Sequence, residues 1–210
     1  MKKLNKPGKR AKRPGIVYGT VPPKRAFNGD VRQREHQTQK EVERVIESAR
    51  KRGRYGLRDA TMILVTYRHG LRNSEACMLA WEQIDFAQGL LHTRRLKKGI
   101  PSVQPMSGSE VRALRAPKRE DAPGRYVFMT ERKAPMTKRG FHNIVACAGV
   151  AAKFPFLVHP HMLRHATGYK VANDGLDTRV VQHSLGHKNI MHTVRYTELS
   201  PERFKDFWED

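Results

Sequence analysis

The sequence predicts an α+β fold, a mainly helical domain carrying a small antiparallel sheet. Three observations support it. From Thr38 onward most segments repeat their apolar residues at helical spacing, short extended runs are confined to residues 90–106 and 126–128, and no internal repeat interrupts the order.

The elements follow in order. Residues 1–37 read as a flexible basic arm, because the first forty positions hold twelve Lys or Arg against Asp30 and Glu35, with Pro7, Pro14, Pro22 and Pro23 breaking any period. Thr38 and Glu41 form a capping box before Val42, Val45, Ile46 and Ala49, so the folded domain is expected over 38–210. A second helix runs from Leu57 through Met62 and Val65 to Tyr67 and stops at Gly70. Asn73 or Ser74 caps a short helix bearing Cys77, Met78, Leu79 and Trp81. Leu90–Thr93 and Ser102–Gln104 flank Lys97-Lys98-Gly99 as a hairpin with a lysine at its tip. Ser107 and Glu110 make another capping box, Tyr126-Val127-Phe128 reads as a third strand, and helical spacing resumes at Thr137. Helices then run from His161 to Asn173, from the cap Asp177 to Gly186, and around Ile190–Tyr196. Ser200 with Pro201 starts a last helix over 200–208, with Phe204, Phe207 and Trp208.

Composition narrows the function. The 210 residues suit one domain and a tail, and Lys plus Arg number 41 against 20 Asp plus Glu, a net charge of +21. Such a surface attracts polyanions, nucleic acid first and an anionic membrane surface second. A membrane span needs roughly 20 apolar residues. The best stretch, Ala60 to Tyr67, is far shorter and contains Thr61 and Thr66. Cys77 and Cys147 make no CxxC pair, and no secretory signal follows the N-terminal lysines, so a soluble cytoplasmic protein is expected.

Several chemistries fail for want of their residues. Ten histidines invite a metal, and His161/His165 and His183/His187 each lie four apart. Neither pair has an HExxH context, a Cys cluster or an adjacent carboxylate, so no metal site is expected. No GxSxG elbow and no GxxxxGK[ST] loop occur. What recurs instead is anion-binding groups at helix starts. His161 and Arg164 share one face of a helix that is just beginning, and Arg72 stands at another helix start with Glu75 three residues on. His187 and Tyr196 follow downstream.

These residues resemble a known family, the tyrosine site-specific recombinases and integrases. The matching positions are Arg72 in HGLRNSEA, Lys97 in RRLKKG, His161 and Arg164 in HPHMLRH, His187 in SLGHKNI and Tyr196 in HTVRYTE. The order is right, the resemblance spans about residues 38–208, and HPHMLRH and RLKKG look most like the fimbrial phase-switch invertases. The resemblance implies a mainly helical catalytic domain and a site-specific recombinase that cleaves and rejoins DNA. Its nucleophile would be Tyr196, giving a covalent 3′-phosphotyrosine during inversion, integration or excision. Arg72 and Arg164 would stabilise the phosphate, His161 would take or relay the tyrosine proton, Lys97 would protonate the leaving oxygen, and His187 would donate a hydrogen bond. Glu75 would hold Arg72. Lys98 remains an alternative to Lys97. Since each joining step conserves the bond energy, no cofactor is implied.

Many members of the family carry a separate helical DNA-binding domain before the catalytic one, and here the basic arm is expected to stand in its place. The basic arm, through Lys12, Arg13, Lys24 and Arg25, and the hairpin, through Arg94, Arg95 and Lys98, are the expected double-stranded DNA contacts. The resemblance further implies that segment 200–208 docks on a neighbouring protomer. The expected assembly is a monomer in free solution and a homotetramer on paired sites, with an accessory DNA-bending protein as a further partner. Two other readings remain: a type IB topoisomerase, and a non-catalytic basic DNA-binding protein.

Overall fold

The computed structural model describes residues 35–95, 99–120 and 124–197. The first helix, α1 (Gln39–Arg50), starts at a complete capping box: the Glu41 carboxylate accepts from the Thr38 N–H at 2.8 Å, and the Thr38 hydroxyl accepts from the Glu41 N–H at 3.4 Å. Its buried stripe, Val42, Val45, Ile46 and Ala49, packs on α2 (Gly56–Arg68). That second helix is buried on most of its circumference, including Ala60, Met62, Ile63, Val65 and Thr66, and so forms the centre of the domain. It ends at His69, and α3 (Asn73–Cys77) follows at once.

A turn of 3₁₀ helix, Trp81–Gln83, leads into a three-stranded antiparallel sheet in the order β1 (Ile84–Asp85), β2 (Leu90–Thr93), β3 (Ser102–Pro105). Ile84 faces Leu91, which in turn faces Gln104. The third strand is therefore not Tyr126–Phe128 as expected. That segment makes a single bridge, Tyr126 with Ala80, and a Val127 N–H bond to the Leu79 carbonyl at 2.8 Å. The physical reason is proximity in the chain. Asp85 accepts the N–H groups of Ala87 and Gln88 at 2.8 and 2.9 Å, and Gly89 takes a positive φ of 67°, so a tight turn delivers Leu90 back beside Asp85. Val127 and Phe128 serve the core through their buried side chains.

Helix α4 (Gly108–Glu120) begins at the Ser107–Glu110 capping box, and α5 (Lys138–Ala151) at Thr137, whose hydroxyl accepts the Gly140 N–H at 2.9 Å. Three further helices complete the described chain: α6 (Pro160–Asn173), with proline in its first turn, α7 (Thr178–Leu185), capped by Asp177 and stopped by Gly186 at φ 63°, and α8 (Met191–Thr197). Helix α6 crosses α2, while α7 and α8 pack on α6. A small cluster of Ala172, Val181, Leu185 and Tyr196 joins these last helices, separate from the main core. Among the described residues no helix is long and apolar enough to cross a membrane. Of the arm expected over residues 1–37, residues 1–34 lie outside the described residues, whereas Glu35 pairs with Arg195, His36 stacks on Tyr169 and Gln37 is buried, so residues 35–37 belong to the folded domain. The segment 200–208 lies outside the described residues.

Candidate active site

The site grows out of the place where α2 and α7 both end. Gly70 sits at φ 55°, and a side chain there would bring a Cβ within 2.5 Å of the Leu185 side chain, so only glycine lets the two helix ends meet. Two backbone carbonyls are left facing inward. Arg164, from the second turn of α6, donates to both: Nη1 to the Gly70 carbonyl and Nη2 to the Leu185 carbonyl at 2.7 Å. Helix C-termini carry partial negative charge, which favours a cation at this point. Arg164 is only 3 % exposed, and burial, reinforced by Arg72 and Arg95, pulls its pKa down to about 9.

Arg72 lies across from it, immediately before α3. Its Nη1 donates to Glu75 Oε1 at 2.7 Å, and its backbone N–H donates to Glu75 Oε2 at 2.9 Å. The guanidinium is 27 % exposed, so one face remains open. Burial by itself would raise the Glu75 pKa. The Arg72 N–H and the charge of Arg95 outweigh it and hold the carboxyl below the usual carboxylate range. Arg95 donates to Glu75 Oε2 at 2.9 Å with its side chain wholly buried. This corrects the expectation that Arg95 contacts DNA: both of its Nη groups are fully spent inside the domain, on Glu75 and on the His69, Gly70 and Ser184 carbonyls. Arg94, by contrast, is exposed and pairs with Glu82 at 3.0 Å. Lys97, Lys98, Lys12, Arg13, Lys24 and Arg25 lie outside the described residues.

His187 follows Gly186 directly, and its Nδ1 meets the Thr193 hydroxyl at 2.9 Å. Burial and then Arg164 and Arg72 push its pKa down to about 3, so the ring is neutral at pH 7. A cavity of about 590 Å³ is lined by Arg72, His187, Lys188, His192 and Arg179. Among the described residues no carboxylate lines it, which suits an anion.

Tyr196 comes from α8 and lies against α6. A Cβ on Gly168 would fall 2.8 Å from the phenol ring, so that glycine makes the seat. The ring stacks on His187 with centroids 6.3 Å apart and meets Tyr169 edge-on at 5.1 Å. Its hydroxyl is bonded to His165 Nδ1 at 2.7 Å. Burial raises the Tyr196 pKa, while burial, Arg195 and His161 lower that of His165 to about 3. The phenol is thus the donor and the neutral imidazole the acceptor. His161, expected to take this proton, is exposed one turn earlier, its ring 5.8 Å from that of His165.

The structure therefore gathers Arg72, Glu75, Arg164, His187 and Tyr196, with His161 at the margin, and adds His165, read from the sequence only as half of a rejected metal pair, Arg95, read as a DNA contact, and Gly168, which the sequence reading passed over. The i, i+4 spacing of His161 and His165 was the available signal for one of them. A protonated phenol bonded to a neutral imidazole, near the guanidinium groups of Arg164 in α6 and Arg72 just before α3, is chemically suited to nucleophilic attack on a phosphate.

Comparison with known proteins agrees. Residues 36–203 match the Phage integrase family. The type 1 fimbriae regulatory protein FimE of Escherichia coli K12 is 38 % identical over 182 residues, covering 84 % of this chain and 91 % of FimE. The tyrosine recombinase XerC of Bacillus subtilis is 31 % identical over 180 residues, covering 80 % of this chain and 58 % of XerC. Among solved structures, the XerA recombinase superposes with a TM-score of 0.73 at 24 % identity, over 83 % of this chain and 65 % of XerA, which speaks for the fold. The chain belongs to the phage integrase family. It is a tyrosine recombinase, an enzyme that cleaves and rejoins DNA.

Proposed function

We propose that Tyr196 is the nucleophile and that the described site holds one scissile phosphate of duplex DNA. The Tyr196 oxygen attacks phosphorus, the bond to the 5′-oxygen breaks, and a 3′-phosphotyrosine and a free 5′-hydroxyl result. The phenol proton passes to His165 Nδ1, from which His161 relays it to solvent. Arg72 and Arg164 meet the charge that builds on the nonbridging oxygens, with the guanidinium hydrogens that Glu75 and the Gly70 and Leu185 carbonyls leave unused. His187 donates a further hydrogen bond, and Lys97 protonates the departing oxygen. Rejoining runs the same steps backward on a new 5′-hydroxyl, so no energy source enters. The observation that carries this assignment is the 2.7 Å bond between Tyr196 and His165, one residue from Arg164. Because the phenol is 2 % exposed, DNA must draw α8 away from its seat on Gly168 before attack.

The similarity to FimE and FimB, each covered over nine-tenths of its length, supports inversion of a DNA segment as the outcome. The proposed active species is a homotetramer on paired sites, assembled from monomers with the help of a DNA-bending protein in the cytoplasm. An apolar groove of about 900 Å³ lined by Ile46, Leu64, Tyr67, Val103, Leu176 and Val180 suits residues 200–208 of a second copy, with Phe204, Phe207 and Trp208 as anchors. The basic arm, residues 1–34, is proposed to hold phosphates along the duplex.

The test uses a nicked suicide duplex, selected from a randomised pool by its ability to form a denaturation-resistant adduct with the protein. The adduct is expected with the wild-type chain and absent with Tyr196→Phe. An adduct that survives this substitution refutes the assignment. Relaxation of supercoiled DNA without exchanged products would indicate the topoisomerase reading, and binding without any adduct the non-catalytic one.

A further inference from the structure

Arg95 is an unusual residue to bury. Its guanidinium donates to Glu75 Oε2 at 2.9 Å, to the His69 carbonyl at 3.2 Å, to the Gly70 carbonyl at 3.4 Å and to the Ser184 carbonyl, while Nε has no hydrogen-bond partner among the described residues. Filling this space with an apolar side chain would avoid the desolvation of a full charge, and buried ion pairs are in general no more stabilising than well-packed apolar groups. Two glycines nevertheless make room for it. A Cβ on Gly99 would fall 2.7 Å from Arg95 Cβ, and one on Gly186 would fall 2.7 Å from both its Cγ and its Nε. The stem is therefore gripped between the hairpin and the end of α7, and the head reaches the carboxylate that holds Arg72 and the carbonyl that holds Arg164.

We propose that Arg95 is a positioning residue of the phosphate clamp, cancelling the charge of Glu75 and fixing the Gly70 carbonyl so that Arg72 and Arg164 face the phosphate at one spacing and with undiminished positive charge. This rests on the reading of those two arginines as the clamp. Without Arg95, the whole negative charge of Glu75 falls on Arg72, which then has less to offer an anion. Gly70 loses one of the two groups that hold its carbonyl, and Arg164 gains freedom to shift. Arg95 itself touches no phosphate. Its effect belongs to the transition state, where the nonbridging oxygens carry most charge, and not to the binding of intact DNA.

The experiment compares wild type, Arg95→Met and Arg95→Lys as full chains on the selected nicked duplex, in an ordinary phosphodiester form and in a form with a methylphosphonate at the scissile position. The methyl group removes one anionic oxygen and with it part of the demand on the clamp. Expected for Arg95→Met, assayed at a temperature where it is still folded because loss of one partner of a buried ion pair lowers the melting temperature, are unchanged affinity for the duplex, single-turnover cleavage slowed about 10²-fold, and a much smaller deficit on methylphosphonate. Arg95→Lys keeps the charge without the fork and recovers part of the rate. It also supplies the comparison if the methionine variant does not fold. Equal deficits on both substrates, cleavage at the wild-type rate, or weakened binding with a normal cleavage rate would each overturn the proposal. Failure of the wild-type chain to form an adduct would instead refute the reading of the site.

Discussion

Replacing Glu75 by glutamine removes the counter-charge beneath the site, and the structure allows its consequence to be sized. The carboxylate, 3 % exposed, accepts from the Arg72 N–H at 2.9 Å, from Arg72 Nη1 at 2.7 Å and from Arg95 Nη1 at 2.9 Å. Glutamine keeps one acceptor oxygen but turns an NH₂ group toward donors that have nowhere else to go, leaving Arg95 and Arg164 buried close together without compensation. Breaking a buried ion pair from one side costs about 3–5 kcal/mol, which for a domain of this size lowers the melting temperature by about 6–20 °C. Urea or thermal unfolding of Glu75→Gln beside wild type measures it. The pH dependence gives an independent check. The folded pKa of Glu75 lies below its ordinary value, so its contribution is fully present above about pH 4.5 and is lost as pH falls through the folded pKa. The gap between the two proteins must therefore close in acid and be constant near neutrality. A variant within about 1 kcal/mol of wild type at pH 7, or a gap that widens in acid, would refute the reasoning.

Further outcomes follow from the same charges. His165 and His187 are neutral in the fold, with pKa values near 3, whereas an unfolded histidine titrates near 6.5, so stability falls as pH drops below about 6.5 and keeps falling toward 3. Each contributes up to about 1.4 kcal/mol per pH unit, and His187→Asn should reduce the slope of urea midpoints between about pH 6.5 and 4.5, above the range where Glu75 and Glu110 add to it; an unaltered slope there would contradict the assignment. Phosphate or DNA in the site should shift this acid transition downward, because an anion favours the charged imidazoles. Deleting residues 1–30 should weaken binding on all sequences alike and flatten the dependence of log K on log salt; an unchanged slope would remove the arm from the interface.

Much of the fold was legible because its signals are local. The helix starts at Thr38, Ser107, Thr137 and Asp177 and the stop at Gly186 each rest on contacts within a few residues, and all occur where the sequence indicates. The misassigned third strand shows the limit. Tyr126–Phe128 has strand-forming composition, but a two-residue strand beside Leu90–Leu91 wins the sheet edge through a turn that Asp85 closes. The site divides in the same way. Arg72 and Arg164 stand out as cations at helix starts. Arg95 does not, because Arg94-Arg95 before two lysines looks like any solvated basic run, and its burial is decided by Glu75, twenty residues earlier, and by Ser184, eighty-nine residues later. His161 and His165 share a helix face, and only the docking of α8 determines which of them meets the phenol.

The most direct measurement isolates the adduct from the selected nicked duplex, trims the DNA with nuclease, digests the protein and sequences the nucleotide-bearing peptide by mass spectrometry. The account predicts a nucleotide esterified through its 3′-phosphate to the oxygen of Tyr196. Attachment to Tyr169 or any other side chain, or linkage through a 5′-phosphate, would contradict it.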